Sequence, residues 1–376
     1  MKFLIVTILL TLIFNVFANT YLTAEQQSKL ANIAQSIREK KNIEQSPECD
    51  FAPHYPLDNF NFTECTADYS EMLVFVTGIS SWNGQGRAIA LKFAELGASV
   101  AGCSRTNKNQ VVNMTELTNA GIAYYKCDVG SLQDMINVAG KIKNDYNGQK
   151  VTVLVSNAGI QYLGRNIEAL RSVSSNNHND NKDILTYLTA VNQYGLLHTV
   201  IAFENEGLIP HDGSGKIFST ASVIAEFAYP WFNIYQDTKK AVAGSALALQ
   251  LDYGIPNNVT FIIVQPTAMA TGIVVNSMLP KNSICPGQLD DMYNFLLTAP
   301  IPASDPSYTG EAVAQVACEA GPTDIQKIII AATDTQYQNN YVNLKTLWCS
   351  LPENEAAAIF NSLFNGTPLS INAACY

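Results

Sequence analysis

Basic residues are scarce in this chain of 376 residues: 22 Lys and Arg stand against 32 Asp and Glu, and charged residues make up only 14%. A formal charge of -10 repels phosphate backbones over most of a surface, so nucleic acid is not an expected partner. Any phosphate group it binds must be met by a local device. Histidine is rarer still. His54, His178, His198 and His211 have no metal-ligand spacing, and no C-x-x-C pair suggests zinc or thioredoxin chemistry. There is no internal repeat. The apolar run from Phe3 to Phe17 is shorter than the ~20 residues a spanning helix needs, so no stable membrane span is expected.

That run instead has the layout of a secretory signal peptide: one basic residue, Lys2, then the apolar stretch and a small exit at Ala18. Residues 1–18 are read as the signal, which predicts a secreted protein or one in the lumen of the endoplasmic reticulum. The ending "NAACY" has no KDEL-type address. Asn-x-Ser/Thr triplets at Asn61, Asn113, Asn258 and Asn365 are candidate glycan acceptors in such a compartment. Cys49, Cys65, Cys285, Cys318, Cys349 and Cys375 are expected to form up to three bridges, with Cys49 to Cys65 the simplest pair. Cys103 and Cys127 end predicted strands and read as small buried apolar residues.

Hydrophobic residues make up 47% of the chain and aromatics 10%, a globular composition. Residues 19–70 read as an extension: a surface helix beginning near Thr23, then an irregular strap with Pro47, Pro53 and Pro56. Residues 71–335 carry the main domain, and 336–376 a helical extension. Within the domain, "LVFVT", "SVAGC", "AYYKC", "VTVLVS", "GKIFST", "VTFIIVQ" and "QKIIIAAT" are short apolar runs, each followed by a helical stretch. Such runs suit strands covered on both faces, so the expected fold is a Rossmann-like, doubly wound parallel sheet of about seven strands. "SVSSNNHNDNKD", Ser172 to Asp183, reads as a solvated loop.

The first strand leads into "VTGISSWNGQGRAIALKFAELGASV", where Gly78, Gly84 and Gly86 lie between strand and helix. Small residues there let backbone N–H groups approach a pyrophosphate at a helix N-terminus. After the second strand, Ser104 and Arg105 stand where an NAD-binding domain offers a carboxylate. A hydroxyl and a guanidinium suit a 2′-phosphate, which favours NADP(H) over NAD(H). The competing reading of Arg105 is a solvated strand-end cation.

"FSTASVIAEFAYPWFNIYQDTKK" places Tyr235 and Lys239 four residues apart, on one face of a helix, with Ser222 at the end of the preceding strand. An ammonium beside a phenol favours phenolate, which makes a tyrosine usable as a base below its ordinary pKa near ~10.

Together the glycine loop, "CDV" at Cys127–Val129, "NAG" at Asn157–Gly159, "VNQYG" around Asn192, Ser222 and "YQDTK" resemble the short-chain dehydrogenase/reductase family over about residues 73–333. The resemblance implies Tyr235 as general acid/base, Lys239 lowering its pKa and holding the nicotinamide ribose, Ser222 orienting a carbonyl, and Asn192 supporting a proton relay. It also implies Asp128 near the adenine, Asn157, Ala158 and Gly159 beside the cofactor, Thr271 near the nicotinamide amide, and Ser80, Val129 and Pro266 along the same crevice.

Some positions depart from the family pattern. Five residues separate Gly78 from Gly84 where three are usual, placing Trp82 and Asn83 in a bulge similar to that of plant-type enoyl reductases. Ser156 replaces an Asn, and Thr267 replaces the glycine after Pro266. The segment between Pro266 and Tyr308 falls where the family places a substrate lid; with Tyr229, Trp231 and Phe232 nearby, an apolar substrate is expected.

The sequence therefore predicts an oxidoreductase acting on a small-molecule carbonyl or alcohol. Its apolar helices around Asn192 and after Tyr235 are expected to pair with a second copy. Two alternatives stand beside it: an enoyl reductase, prompted by the longer loop although such enzymes space their tyrosine and lysine further apart, and a secreted binding protein that kept the fold without the chemistry.

Overall fold

The structure is a computed structural model that describes residues 68–162, 184–225, 232–266, 269, 271–275, 305–319 and 326–330. Several expectations lie outside these residues: the signal peptide, the strap, the loop 172–183, most of the lid, the C-terminal extension, the triplets at Asn61 and Asn365, and Cys49, Cys65, Cys285, Cys349 and Cys375.

Seven strands form one parallel sheet: β1 (Leu73–Thr77), β2 (Ser99–Ser104), β3 (Ala123–Lys126), β4 (Val151–Ser156), β5 (Lys216–Thr220), β6 (Thr260–Pro266) and β7 (Gln326–Ile330), in the order β3-β2-β1-β4-β5-β6-β7. Each of the seven predicted runs supplies one strand. The strand order reverses between β1 and β4, which pair in parallel. A crevice at the carboxyl ends of the strands follows from that reversal.

Helices cover both faces. In β1, Leu73 and Phe75 pack on one side while Val74 and Val76 pack on the other, so the strand has no solvent face. The first side is covered by α3 (Leu132–Asp145), α5 (Gly195–Asn205) and α6 (Asn233–Leu249), with Met135, Phe203 and Val242 in the shared core. Against the other lie α1 (Gln85–Glu95), the short α2 (Met114–Asn119) and α9 (Pro306–Glu319), through Phe93, Leu117 and Val313. Helix α4 (Ile184–Leu188) runs through a wider π-helical stretch, Thr189–Tyr194, into α5. After α6, a second π stretch at Gln250–Gly254 leads into α7 (Ile255–Asn257). Helix α8 (Gly272–Val275) follows β6. Among the described residues no helix is long and apolar enough to cross a membrane.

The expectation for Cys103 and Cys127 is corrected. Both are buried, but they form a disulfide that staples the carboxyl ends of β2 and β3. The register places Cys103 opposite Tyr125, and the Cys127 N–H donates to the Ser104 carbonyl, so two parallel neighbours bring the thiols together. Cys318 is disulfide-bonded as well. Because the β2–β3 bridge closes a segment of 24 residues, replacing both cysteines by Ser is expected to lower stability by about 3 kcal/mol. Urea unfolding of the double variant checks this; an unchanged midpoint would assign the bridge no part in stability.

Candidate active site

At the end of β1, Gly78 has φ +83, a left-handed conformation in which an L side chain is strained. A Cβ at Gly86 would fall 2.7 Å from the Gly78 carbonyl oxygen, so the loop can turn tightly onto α1 only with glycine there. Gly84 is the N-cap of α1 and supplies no side-chain cap. The loop is held from beneath by Arg87, a fully buried side chain that donates to the carbonyls of Ile79, Ser80, Val112 and Asn113 and pairs with Glu116 at 3.1 Å. Sequence reasoning overlooked it, although a lone arginine among the Ala and Ile of "GRAIAL" was a usable signal.

Thr77 was overlooked too. Its hydroxyl oxygen accepts from the N–H groups of Asn157 and Ala158, both at 2.9 Å, and the Asn157 side-chain amide donates to the Thr77 carbonyl. These bonds close the gap between β1 and β4. Ser104 is buried, accepting from the Ser80 N–H at 3.0 Å and donating to the Cys103 carbonyl. Its hydroxyl thus braces the glycine loop. Arg105 is exposed, with its guanidinium over the Tyr187 ring of α4. Asp128 accepts from the Gly130 N–H, which fixes its carboxylate at the turn after β3, and Val129 is buried against Gly195. Pro266 ends β6, and Thr271 is buried in the turn that follows.

On the other side of the crevice, α6 presents Tyr235 and Lys239 on one face, as their spacing predicts. Both side chains are buried, and the Lys239 ammonium lies 5.6 Å from the Tyr235 ring centroid. It donates to the Thr220 carbonyl at the end of β5, at 2.8 Å. Ser222 lies close enough to the Tyr235 hydroxyl to favour its charged form. Asn192, in the π stretch, is buried; its carboxamide accepts from the Ile160 N–H and donates to the Ile160 carbonyl and the Thr238 hydroxyl, while Thr238 donates to the Tyr235 carbonyl. A Cβ at Gly159 would lie 3.4 Å from both the Lys239 ammonium nitrogen and the Asn192 carboxamide oxygen, so a glycine there keeps the space between them clear. The four catalytic candidates therefore share one end of the sheet with "NAG".

The electrostatics differ from the sequence expectation in one respect. Burial pushes the Tyr235 phenol well above its ordinary value, and the nearby Ser222 works against that. Lys239 is itself lowered to about 8 by burial.

The arrangement can move a proton at one oxygen at the carboxyl end of the sheet, beside the glycine loop, and the comparisons agree with that geometry. The family pattern for short chain dehydrogenase matches residues 72–281. The chain belongs to the short-chain dehydrogenase/reductase family. It is 26% identical over 187 residues to a 3beta-hydroxysteroid dehydrogenase of Mediterraneibacter gnavus, covering 49% of this chain and 62% of that protein. To the NADPH-dependent 1-acyldihydroxyacetone phosphate reductase of Saccharomyces cerevisiae it is 24% identical over 212 residues, covering 56% of this chain and 66% of the relative. The chain thus spans less than two thirds of the length of the curated relatives it matches. Its fold matches that of an alcohol dehydrogenase from Thermococcus sibiricus complexed with 5-hydroxy-NADP, with a TM-score of 0.52 and 19% identity over 70% of this chain and 97% of that one.

Between about pH 8 and the ordinary lysine value of 10.5, an unfolded chain binds a proton at Lys239 that the folded chain does not. The stability of the wild type relative to Lys239→Met is therefore expected to rise as pH increases through that window. Denaturant unfolding at a series of pH values reads the difference, and a flat one would contradict a desolvated lysine.

Proposed function

We infer that this short-chain dehydrogenase is an NADP(H)-dependent oxidoreductase that interconverts a carbonyl and a secondary alcohol on an apolar small molecule. The observation that carries this reading is the buried Tyr235 and Lys239 pair with the half-buried Ser222 beside it, at the end of a sheet that also carries the glycine loop. The crevice also fits a dinucleotide on its own terms: Gly78 and Gly86 leave no room for a Cβ, and the Gln85 side-chain nitrogen, at the first position of α1, is buried with no hydrogen-bond partner. Gly78, Ser80, Gly84 and Gly86 would hold the diphosphate, Asp128 and Val129 the adenosine end, and Asn157, Ala158, Gly159, Pro266 and Thr271 the nicotinamide end.

When bound, the dinucleotide supplies or accepts the hydride. The chain's own part is the proton. A substrate oxygen placed against the Ser222 and Tyr235 hydroxyls receives two hydrogen bonds, which strengthen as negative charge develops on it. Tyr235 then gives up its hydroxyl proton as the alcohol forms, or takes one in the reverse direction. Burial keeps the phenol protonated at rest, which suits a proton donor, and Lys239, still largely protonated at neutral pH, supplies the positive charge that steadies the phenolate left behind.

NADP(H) is favoured because Arg105 is exposed at the end of β2 with no carboxylate beside it in "CSRTNK". The NADPH-dependent yeast relative and the archaeal alcohol dehydrogenase complexed with 5-hydroxy-NADP support this preference. An apolar substrate is supported by the buried cluster in which Tyr235 sits, with Tyr162, Ile184, Leu188, Ile224 and Ile234. The alternative of a silent binding protein finds no support in a site that keeps all four catalytic positions.

A secreted or lumenal location is supported by the signal-like first residues and by the buried Cys103–Cys127 disulfide, a bond that persists in oxidising compartments. In that setting Asn113 and Asn258, both exposed, are the glycan acceptors among the described residues. Leu247, Leu251 and Ile255 expose apolar side chains at steps of four, and Tyr194 and Ile201 do so on the helix before. We assign these faces to a homodimer contact.

Tyr235→Phe is expected to reduce turnover by at least ~10²–10⁴-fold while leaving NADPH fluorescence titration unchanged. Residual activity near wild type would rule out Tyr235 as the proton carrier. Arg105→Ala is expected to weaken NADPH binding about tenfold or more, the equivalent of a charge-assisted hydrogen bond, and to leave NADH binding alone; equal effects on both would remove the 2′-phosphate role.

A further inference from the structure

The bulge in the glycine loop does more than lengthen it. Inside the bulge the Ser81 hydroxyl donates to the Asn83 carboxamide oxygen at 3.2 Å, and the Gly84 N–H donates back to the Ser81 carbonyl at 3.1 Å. The loop is therefore folded on itself and held from below by Arg87 through the Ile79 and Ser80 carbonyls. From that base the same Asn83 oxygen accepts the backbone N–H of Gly272 at 3.1 Å, a contact between residues 189 positions apart. Gly272 is the first residue of α8 and directly follows Thr271. The bond thus joins the strand-to-helix turn after β1 to the turn after β6.

The turn after β6 has a second anchor. Met269 receives the Thr309 hydroxyl on its sulfur at 3.9 Å, and the Thr271 N–H donates to the Met269 carbonyl at 2.9 Å. Thr309 belongs to α9, which packs on α1 so closely that a Cβ at its neighbour Gly310 would lie 2.8 Å from the Ala88 carbonyl oxygen. Thr271 is therefore held between two attachments, Met269 to α9 and Gly272 to the glycine loop, both ultimately resting on α1. With three residues between Gly78 and Gly84, in place of five, the loop would contain no Trp82–Asn83 bulge to make the second of them.

We propose that Asn83 is a positioning residue for the dinucleotide: by accepting from Gly272 it ties the lengthened glycine loop to the turn that carries Thr271, and so governs how long a bound dinucleotide is retained. This rests on the dinucleotide reading of the crevice given above. Such a bond links the loop assigned to the diphosphate with the residue next to Thr271, assigned to the nicotinamide end. Opening it is then a step that release must include, in the way that lids and straps gate product release elsewhere.

Two readouts test the proposal on the full chain. Backbone hydrogen exchange across residues 269–273 in the ligand-free protein reads the latch alone, and stopped-flow release of NADPH reads its consequence. Asn83→Ala is expected to speed both by about fivefold to tenfold, the equivalent of one neutral hydrogen bond. Asn83→Asp keeps an acceptor and is expected to restore the exchange protection. Gly272→Pro removes the donor at a helix position that tolerates proline; it should speed release as Asn83→Ala does, and combining the two should add nothing further. Exchange and release both within about twofold of wild type in Asn83→Ala, against that fivefold expectation, would overturn the proposal while leaving the dinucleotide reading intact. A wild-type chain that binds neither NADPH nor NADH would instead overturn the dinucleotide reading, and the retention role with it.

Discussion

An ammonium buried beside a buried phenol is the constraint around which this molecule is arranged. Desolvating a lysine is expensive unless the protein supplies compensating hydrogen bonds. Here the compensation comes from the Thr220 carbonyl at the end of β5, while the phenol finds Ser222. Neither partner is on α6. The pair can therefore be buried only where a helix crosses the carboxyl end of a strand, and the site is tied to the sheet rather than to the helix that carries it. Asn192 and Thr238 continue the same network, fixing the Ile160 backbone and the Tyr235 carbonyl, and Gly159 leaves the space between lysine and asparagine open.

The sheet order places a cofactor crevice against that network. Because the order reverses between β1 and β4, the glycine loop and the "NAG" turn lie on adjacent strand ends, joined by Thr77. Arg87 secures the loop from inside the core, and the Cys103–Cys127 bridge secures the strand ends that lead to Arg105 and Asp128. Buried supports thus hold both the glycine loop and the neighbouring strand ends.

Much of this was legible in the sequence because it depends on local pattern. The seven apolar runs became the seven strands, and in the central strand β1, covered on both faces, every position from Leu73 to Val76 is apolar for that reason. Tyr235 and Lys239 share a helix face for the simple reason that they are four residues apart. What was not legible depends on tertiary neighbours. Cys103 and Cys127 are partners only because β2 and β3 are adjacent and in that register, which spacing along the chain does not reveal. Residues as distant as Asn83 and Gly272 give no joint signal. The direction of the Tyr235 shift was misjudged for a related reason: charge proximity can be read from helix spacing, but the depth of burial that outweighs it cannot.

The most direct measurement is an ultraviolet difference titration of phenolate formation, wild type against Tyr235→Phe, without ligand and with oxidised NADP. The account predicts that the Tyr235 phenol titrates above the ordinary tyrosine value of about 10 in the ligand-free protein and moves down when the dinucleotide binds. A Tyr235 phenolate already formed at neutral pH without ligand, or a titration that binding does not move, would contradict it.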